Sequence, residues 1–224
     1  MRSKSAAPRK FDDRQDAGRQ LAHELQPFTG SPGLLVLGLP RGGVPVAAEI
    51  SAALSCPLDV VLVRKVGVPG FTELAMGAVA TAGGSLSTVR NERVLASLTG
   101  DRDAIFEAGI SRELVELKRR EELYRTGLPL LDIAGRTVIL VDDGVATGAT
   151  LRAAVNAVRQ LGPADLWVAA PVFLGHSLAG IRPLADRTFC LWDAPSLGSV
   201  GQAYRQFEQV PDHEVQRLLL PHPE

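Results

Sequence analysis

The chain has 224 residues, 46% of them hydrophobic and 22% charged, with a formal net charge of −1. That composition excludes a disordered chain and supplies no global field for nucleic acid or an anionic membrane, while the length suits one α/β domain with a small appendage. Two cysteines, Cys56 and Cys190, are too few for a disulfide framework or a tetrahedral metal site.

Met1 to Lys10 reads as a polar tail with no apolar signal-peptide segment behind it, and no run of eighteen apolar residues follows. A soluble cytoplasmic protein is the default expectation. Asp12 is placed to cap a helix running to about Phe28, with Ala17, Leu21, Leu25 and Phe28 on one face. This helix precedes the first strand, so it must pack as an outrigger.

Leu34 to Leu39 is the first strand, followed by Pro40-Arg41-Gly42-Gly43 and a helix that starts near Val44 with Pro45 in its first turn. A glycine pair between strand and helix lets backbone approach an anion closely, and Arg41 can neutralise one. Leu58 to Val63 is a second strand, delivering Arg64 and Lys65 at its carboxyl end, where two cations need solvent or an anion. Gly67 to Gly84 holds turn residues around an apolar piece, Leu74 to Ala80, with Ser85 to Arg90 as its hairpin partner. Asp101 to Arg125 is a long charged helix weakened by Gly109. Its Lys118-Arg119-Arg120 cluster is answered by Glu121-Glu122, which marks a solvated face with i,i+4 pairing, and the helix reads as a connector without chemistry.

Val138-Ile139-Leu140-Val141 is a buried parallel strand that runs straight into Asp142-Asp143, and Gly144 to Thr150 leads into a helix from Leu151 to Leu161. The two acids sit where open α/β sheets bind ligands, and Thr147-Gly148-Ala149-Thr150 wraps a helix N-terminus that attracts an anion. Acceptors for hydroxyls beside donors for a phosphate match a phosphorylated sugar. A Walker A loop is excluded, because Gly144 and Gly148 are one residue too close and Ala149 stands where the lysine belongs. An Asp-x-Asp phosphatase signature is absent as well, since the two acids are adjacent.

Leu166 to Val172 and Thr188 to Trp192 are further strands, with a short helix from His176-Ser177 that stops before Pro183. No two of His23, His176, His213 and His222 form a metal-binding pair. The end of the chain carries Trp192, Tyr204 and Phe207, with helical turns expected at Ala203 to Phe207 and Asp212 to Leu220. These aromatics suit either stacking on a flat base or a packed C-terminal flap.

Asp142 to Thr150 resembles the phosphoribosyl-pyrophosphate (PRPP) signature of type I phosphoribosyltransferases. The resemblance implies an α/β fold with a mostly parallel central sheet flanked by helices, a mobile flap, and a hood built from the N- and C-terminal segments. On that reading residues 1–10 are a tail and 11–224 one domain, with a core of 31–192 and a hood of 11–30 and 193–224. It implies that Asp142 and Asp143 are catalytic and hold the ribose hydroxyls, and that Ala146, Thr147, Gly148, Ala149 and Thr150 cradle the 5′-phosphate. Val60 to Lys65, followed by Gly67 and Pro69-Gly70, is similar to the matching stretch of adenine phosphoribosyltransferases. That likeness implies a pyrophosphate clamp of Arg41, Gly42, Gly43, Arg64 and Lys65, with a cis non-proline peptide in the loop.

The implied reaction transfers 5-phosphoribosyl from PRPP to a nitrogenous acceptor. Its highly charged leaving group calls for Mg²⁺, held by Asp142 and Asp143 directly or through water. Trp192, Tyr204 and Phe207 would belong to the acceptor hood. Glu73, Arg90 and Arg93 are the polar side chains a closing flap could bring inward, with Glu73 the one guess at a general base. Hypoxanthine-guanine enzymes carry an acid where this chain has Ala146, which argues against a 6-oxopurine. The alternative is a PRPP- or nucleotide-binding regulator without transferase activity. Small-molecule substrates are the expected partners, with neither nucleic acid nor membrane, and the exposed hood and long connector helix suit a homodimer.

Overall fold

Apolar runs in the chain become strands that are covered on both faces. The computed structural model describes residues 10–220 apart from the side chains of Thr72 and Glu73, so the guess at Glu73 as a base lies outside the described residues. An N-terminal helix, α1 (Arg14–Leu25), precedes β1 (Leu34–Gly38), α2 (Gly43–Leu54) and β2 (Leu58–Val68). A hairpin follows, β3 (Phe71–Ala82) and β4 (Ser85–Arg90), then α3 (Glu92–Leu95) and the long α4 (Arg102–Arg125). The second half holds β5 (Thr137–Val141), α5 (Ala149–Arg159), β6 (Asp165–Leu174), α6 (Ser177–Ile181), β7 (Arg187–Ala194) and α7 (Asp212–Leu219).

The seven strands form one sheet in the order β4-β3-β2-β1-β5-β6-β7. Strands β2, β1, β5, β6 and β7 run parallel, while β3 and β4 add an antiparallel edge. This is the mostly parallel, helix-flanked α/β fold that the sequence resemblance implies. Strand β5 shows why its run is continuous: Val138 and Leu140 pack with Leu35, Leu37 and Phe173 on one face, and Ile139 and Val141 with Val36, Ala47 and Ile50 on the other. Each such buried side chain contributes roughly 1.5–3 kcal/mol.

Helix α4 lays Phe106, Ile110, Leu117 and Tyr124 against Val60, Leu62, Met76 and Val79. Gly109, a weak point for helix propensity, is required here. A Cβ at that position would lie 2.5 Å from Val66 Cγ1 and 2.7 Å from Met76 Cε, so glycine lets α4 rest directly on β2 and β3.

Several boundaries differ from the sequence reading. Asp13, not Asp12, caps α1 by accepting from the Asp16 amide at 2.7 Å, and the helix gives way to a 3-10 turn at Gln26–Phe28. Asp12 instead pairs with Arg205 at 2.9 Å. Strand β2 runs past Val63 because its pairing with β3 continues through Arg64↔Val79 and Lys65↔Ala78, so the two cations lie within the strand and not at its end. The helical turn expected at Ala203 to Phe207 is a 3-10 turn at Val200–Ala203, after which Tyr204 bridges Phe11 in extended form. That bridge joins the two terminal segments.

Candidate active site

Strand β1 ends beside β5, and the Leu39 amide donates to the Val141 carbonyl at 2.8 Å. The loop after β1 is thereby pressed against the two acids. The peptide Pro40–Arg41 is cis, as the resemblance implies. A Cβ on Gly43 would lie 2.5 Å from the Val141 carbonyl oxygen, and one on Gly42 only 1.9 Å from Asp143 Oδ2. Both glycines therefore allow a backbone contact with the end of β5 that no side chain permits.

Asp142 and Asp143 are half-buried at this corner. Asp142 accepts the Asp143 amide at 2.9 Å, and burial, reinforced by the neighbouring Asp143 charge, raises its pKa well above the ordinary carboxylate value. Burial also raises Asp143, against the pull of Arg14, whose Nε donates to Asp143 Oδ2 at 2.8 Å. Arg14 is the first residue of α1, and nothing in the sequence reading marked it. Its guanidinium lies 3.9 Å over the Phe207 ring, and its Nη1 donates to the Glu208 carbonyl at 2.8 Å. Phe207 stacks in turn on Tyr204, with centroids 4.9 Å apart, and the Tyr204 hydroxyl donates to the Asp143 carbonyl at 2.5 Å.

This arrangement corrects the reading of the aromatics. Tyr204 is buried, and Phe207 is covered by Arg14 and Tyr204, so these two rings are used inside the protein rather than offered to a flat base. Trp192, on β7, is half-buried and packs at the edge of the cluster containing Phe11, Ala203 and Tyr204. The terminal segments nevertheless cover the acid corner. A cavity of about 380 Å³ opens beside Arg14, lined by Gln15, Pro45, Gln206, Glu208, Val210 and Glu214.

Beyond Gly144 the chain is clipped to the end of β6: the Val145 amide donates to the Val172 carbonyl at 2.8 Å, and the Leu174 amide to the Val145 carbonyl at 2.9 Å. Ala146 and Thr147 are then exposed, Gly148 turns with φ +73°, and α5 begins at Ala149. Gly148 supplies no capping side chain, and only the Thr147 hydroxyl, at 3.4 Å from the Ala149 amide, engages the first turn, so the other first-turn amides and the helix dipole are available to an anion.

The expected cations divide. Arg41 is 3.8 Å from Asp212 on α7, whose Oδ1 accepts the Tyr124 hydroxyl at 2.5 Å. Arg64 donates to Glu113 on α4 at 2.8 Å, while Lys65 is exposed. Arg90 is tied to Glu92 and Asp103 at 2.9 and 2.6 Å and lies over Phe106, and Arg93 is exposed. Among the described residues no group of three or more His, Cys, Asp or Glu side chains converges on a metal position, and no helix is long and apolar enough to cross a membrane.

Comparison with known proteins agrees with this architecture. A family model described as "Phosphoribosyl transferase domain" matches residues 23–194. A protein of Mycobacterium tuberculosis (strain ATCC 25618 / H37Rv), provisionally named a phosphoribosyl transferase, is 43% identical over 209 residues. The alignment takes in 93% of this chain and 46% of that protein, so the chain spans about half the relative's length. The Bifunctional protein PyrR of Chloroflexus aurantiacus is 34% identical over 148 residues, covering 63% of this chain and 71% of its own. Among solved structures, TT1426 from Thermus thermophilus superposes with a TM-score of 0.83 at 40% identity, covering 94% of this chain and 97% of that one. The chain belongs to the type I phosphoribosyltransferase family.

Proposed function

We propose that this protein transfers the 5-phosphoribosyl group from PRPP to a nitrogenous, nucleobase-like acceptor. The observation that carries the reading is the meeting, at one sheet edge, of the Asp142-Asp143 pair, the N-terminus of α5 and the Gly42-Gly43 loop packed on Asp143. In the reaction the C1′–oxygen bond to pyrophosphate breaks and takes its electron pair with it. A C1′–nitrogen bond forms, and the acceptor nitrogen gives its proton to the departing pyrophosphate or to solvent.

Each group then has a task. Ala146 to Thr150 hold the 5′-phosphate through the amides that open α5. Asp142 and Asp143 accept from the ribose hydroxyls, and their negative charge stabilises the positive charge that develops at C1′. Arg41, the glycine pair and Lys65 receive the pyrophosphate, while Arg64 reaches it only by giving up Glu113. The cavity beside Arg14 is the place for the acceptor, and its amide and carboxylate lining favours hydrogen bonding over stacking.

Two carboxylates do not make a complete octahedral site, so the residues fit Mg²⁺ only as an ion shared with substrate oxygens, held by Asp142 and Asp143 directly or through water. When bound, the ion would neutralise charge on the pyrophosphate. Pyrophosphate release from PRPP and Mg²⁺ across a panel of nucleobases and small amines tests the proposal. A second reading, PRPP binding without transfer, draws on the ion pairs that already engage Asp143 and Arg64. Calorimetric PRPP binding with no pyrophosphate release for any acceptor favours that reading, and absence of binding removes both.

A further inference from the structure

We infer that Arg120, on α4, is a further pyrophosphate-binding cation beside the Pro40–Gly43 loop; the inference rests on the PRPP reading above. Arg64 is matched by Glu113 at 2.8 Å, and Arg41 has Asp212 at 3.8 Å, so each of these cations already has an anion. On α4 the ratio is different. Glu116 takes Nε of Arg119 at 2.7 Å and Nε of Arg120 at 2.8 Å, so one carboxylate faces two guanidinium groups and a positive charge is left over. The paired arginines hold the Glu116 carboxyl down at a pKa of about 2, so its charge is present throughout the neutral range.

Position then decides which arginine carries the surplus. Arg119 directs two nitrogens at Glu116 and its side chain is 61% exposed. Arg120 gives Glu116 only Nε, and among the described residues its two Nη groups donate to nothing. Its side chain lines a gap of about 30 Å³ together with Leu39 and Pro40 of the glycine loop, Val63 of β2 and Thr150 at the start of α5. Arg120 thus lines a gap shared by the glycine loop and the start of α5, and a planar guanidinium with N–H groups to spare is well suited to bridge phosphoryl oxygens there. Neighbouring Tyr124, one turn further along α4, bonds Asp212 and so fixes the partner of Arg41 on the same side of the loop.

The test is calorimetric titration of PRPP, inorganic pyrophosphate and ribose 5-phosphate, with Mg²⁺ present, into the wild-type protein and the R120M, R120K and R119M variants. We expect R120M to weaken PRPP and pyrophosphate by about tenfold or more, the loss of one charge-assisted contact, with ribose 5-phosphate unchanged. R120K should recover part of that loss, because it restores charge without the fork, and R119M should bind all three as wild type does. Should R120M prove poorly folded, R120K alone decides: weaker pyrophosphate with unaltered ribose 5-phosphate supports the assignment. Wild-type affinity for PRPP in R120M, equal losses for ribose 5-phosphate and PRPP, or an equal loss in R119M would each overturn it. A wild-type protein that binds neither PRPP nor ribose 5-phosphate sinks the functional reading itself, an outcome distinct from those three.

Discussion

Two Arg–Asp pairs lie on either side of β1, one on β2 and one just beyond β5, and their surroundings separate a pair fully satisfied within the fold from one left open to a ligand. Asp59, near the start of β2, is 1% exposed and receives both Nε and Nη2 of Arg125 at 2.8–3.1 Å as well as the Val60 amide. Arg125 also donates to the Pro129 carbonyl, so the pair's hydrogen-bonding capacity is consumed within the fold. Asp143, beyond the end of β5, has one ionic contact from Arg14, a second carboxylate beside it and a pKa raised by burial. A buried charge that is fully bonded anchors structure, whereas one left short of partners and crowded by a like charge is suited to a ligand.

Breaking the structural pair should have the largest effect. Arg125→Met leaves Asp59 buried without its cation, and about 3–5 kcal/mol of stability should be lost in urea unfolding. Asp143→Asn should act on the other axis. It should raise the reaction barrier by about 2–4 kcal/mol, read as pyrophosphate release, while costing no more in unfolding than the loss of the Arg14 contact. Unchanged turnover in that variant would count heavily against the assignment. Arg14→Met removes a single ionic contact between groups 11% and 14% exposed, so about 1–3 kcal/mol is expected in the same unfolding assay, and Arg14→Lys should recover part of it.

Asp142 sharpens the comparison through pH. Because its pKa is raised in the folded protein, folding takes up a proton, and its contribution to stability is present below the unfolded carboxyl value of about 4 and is lost as pH rises toward the folded value. Asp142→Asn should therefore raise the melting temperature relative to wild type at neutral pH, with the gap closing by about pH 4. The smallest effect belongs to the exposed Arg205–Asp12 pair, where Arg205→Ala should shift stability by about 0–1 kcal/mol.

The central sheet and the acid corner were legible because local patterns encode them. A strand covered on both faces must be apolar at every position, as Val138 to Val141 are, and a tight strand-to-helix loop needs a glycine where it turns, as at Gly148. Strand ends in the hairpin were less legible. Arg64 and Lys65 read as the end of a strand because charge usually marks one, yet cross-strand pairing with β3 carries β2 past them. The hood was expected from the terminal segments, and those segments do meet; of the two uses left open for its aromatics, Tyr204 and Phe207 take the packed one. The stack of Arg14, Phe207 and Tyr204 unites residues nearly 200 positions apart in sequence, and composition alone cannot show which faces of a ring remain free.

By itself the sequence determined the fold class, the family and the loops at the sheet's carboxyl edge, since hydrophobic periodicity and short turn motifs are local properties of a chain. Tertiary structure decided which charges are already answered: Arg64 by Glu113, Asp59 by Arg125, Asp143 by Arg14. It also decided where one charge is left over, on Arg120 beside the glycine loop. Electrostatic pairing depends on distance and burial, and both are fixed only when elements far apart in sequence pack together.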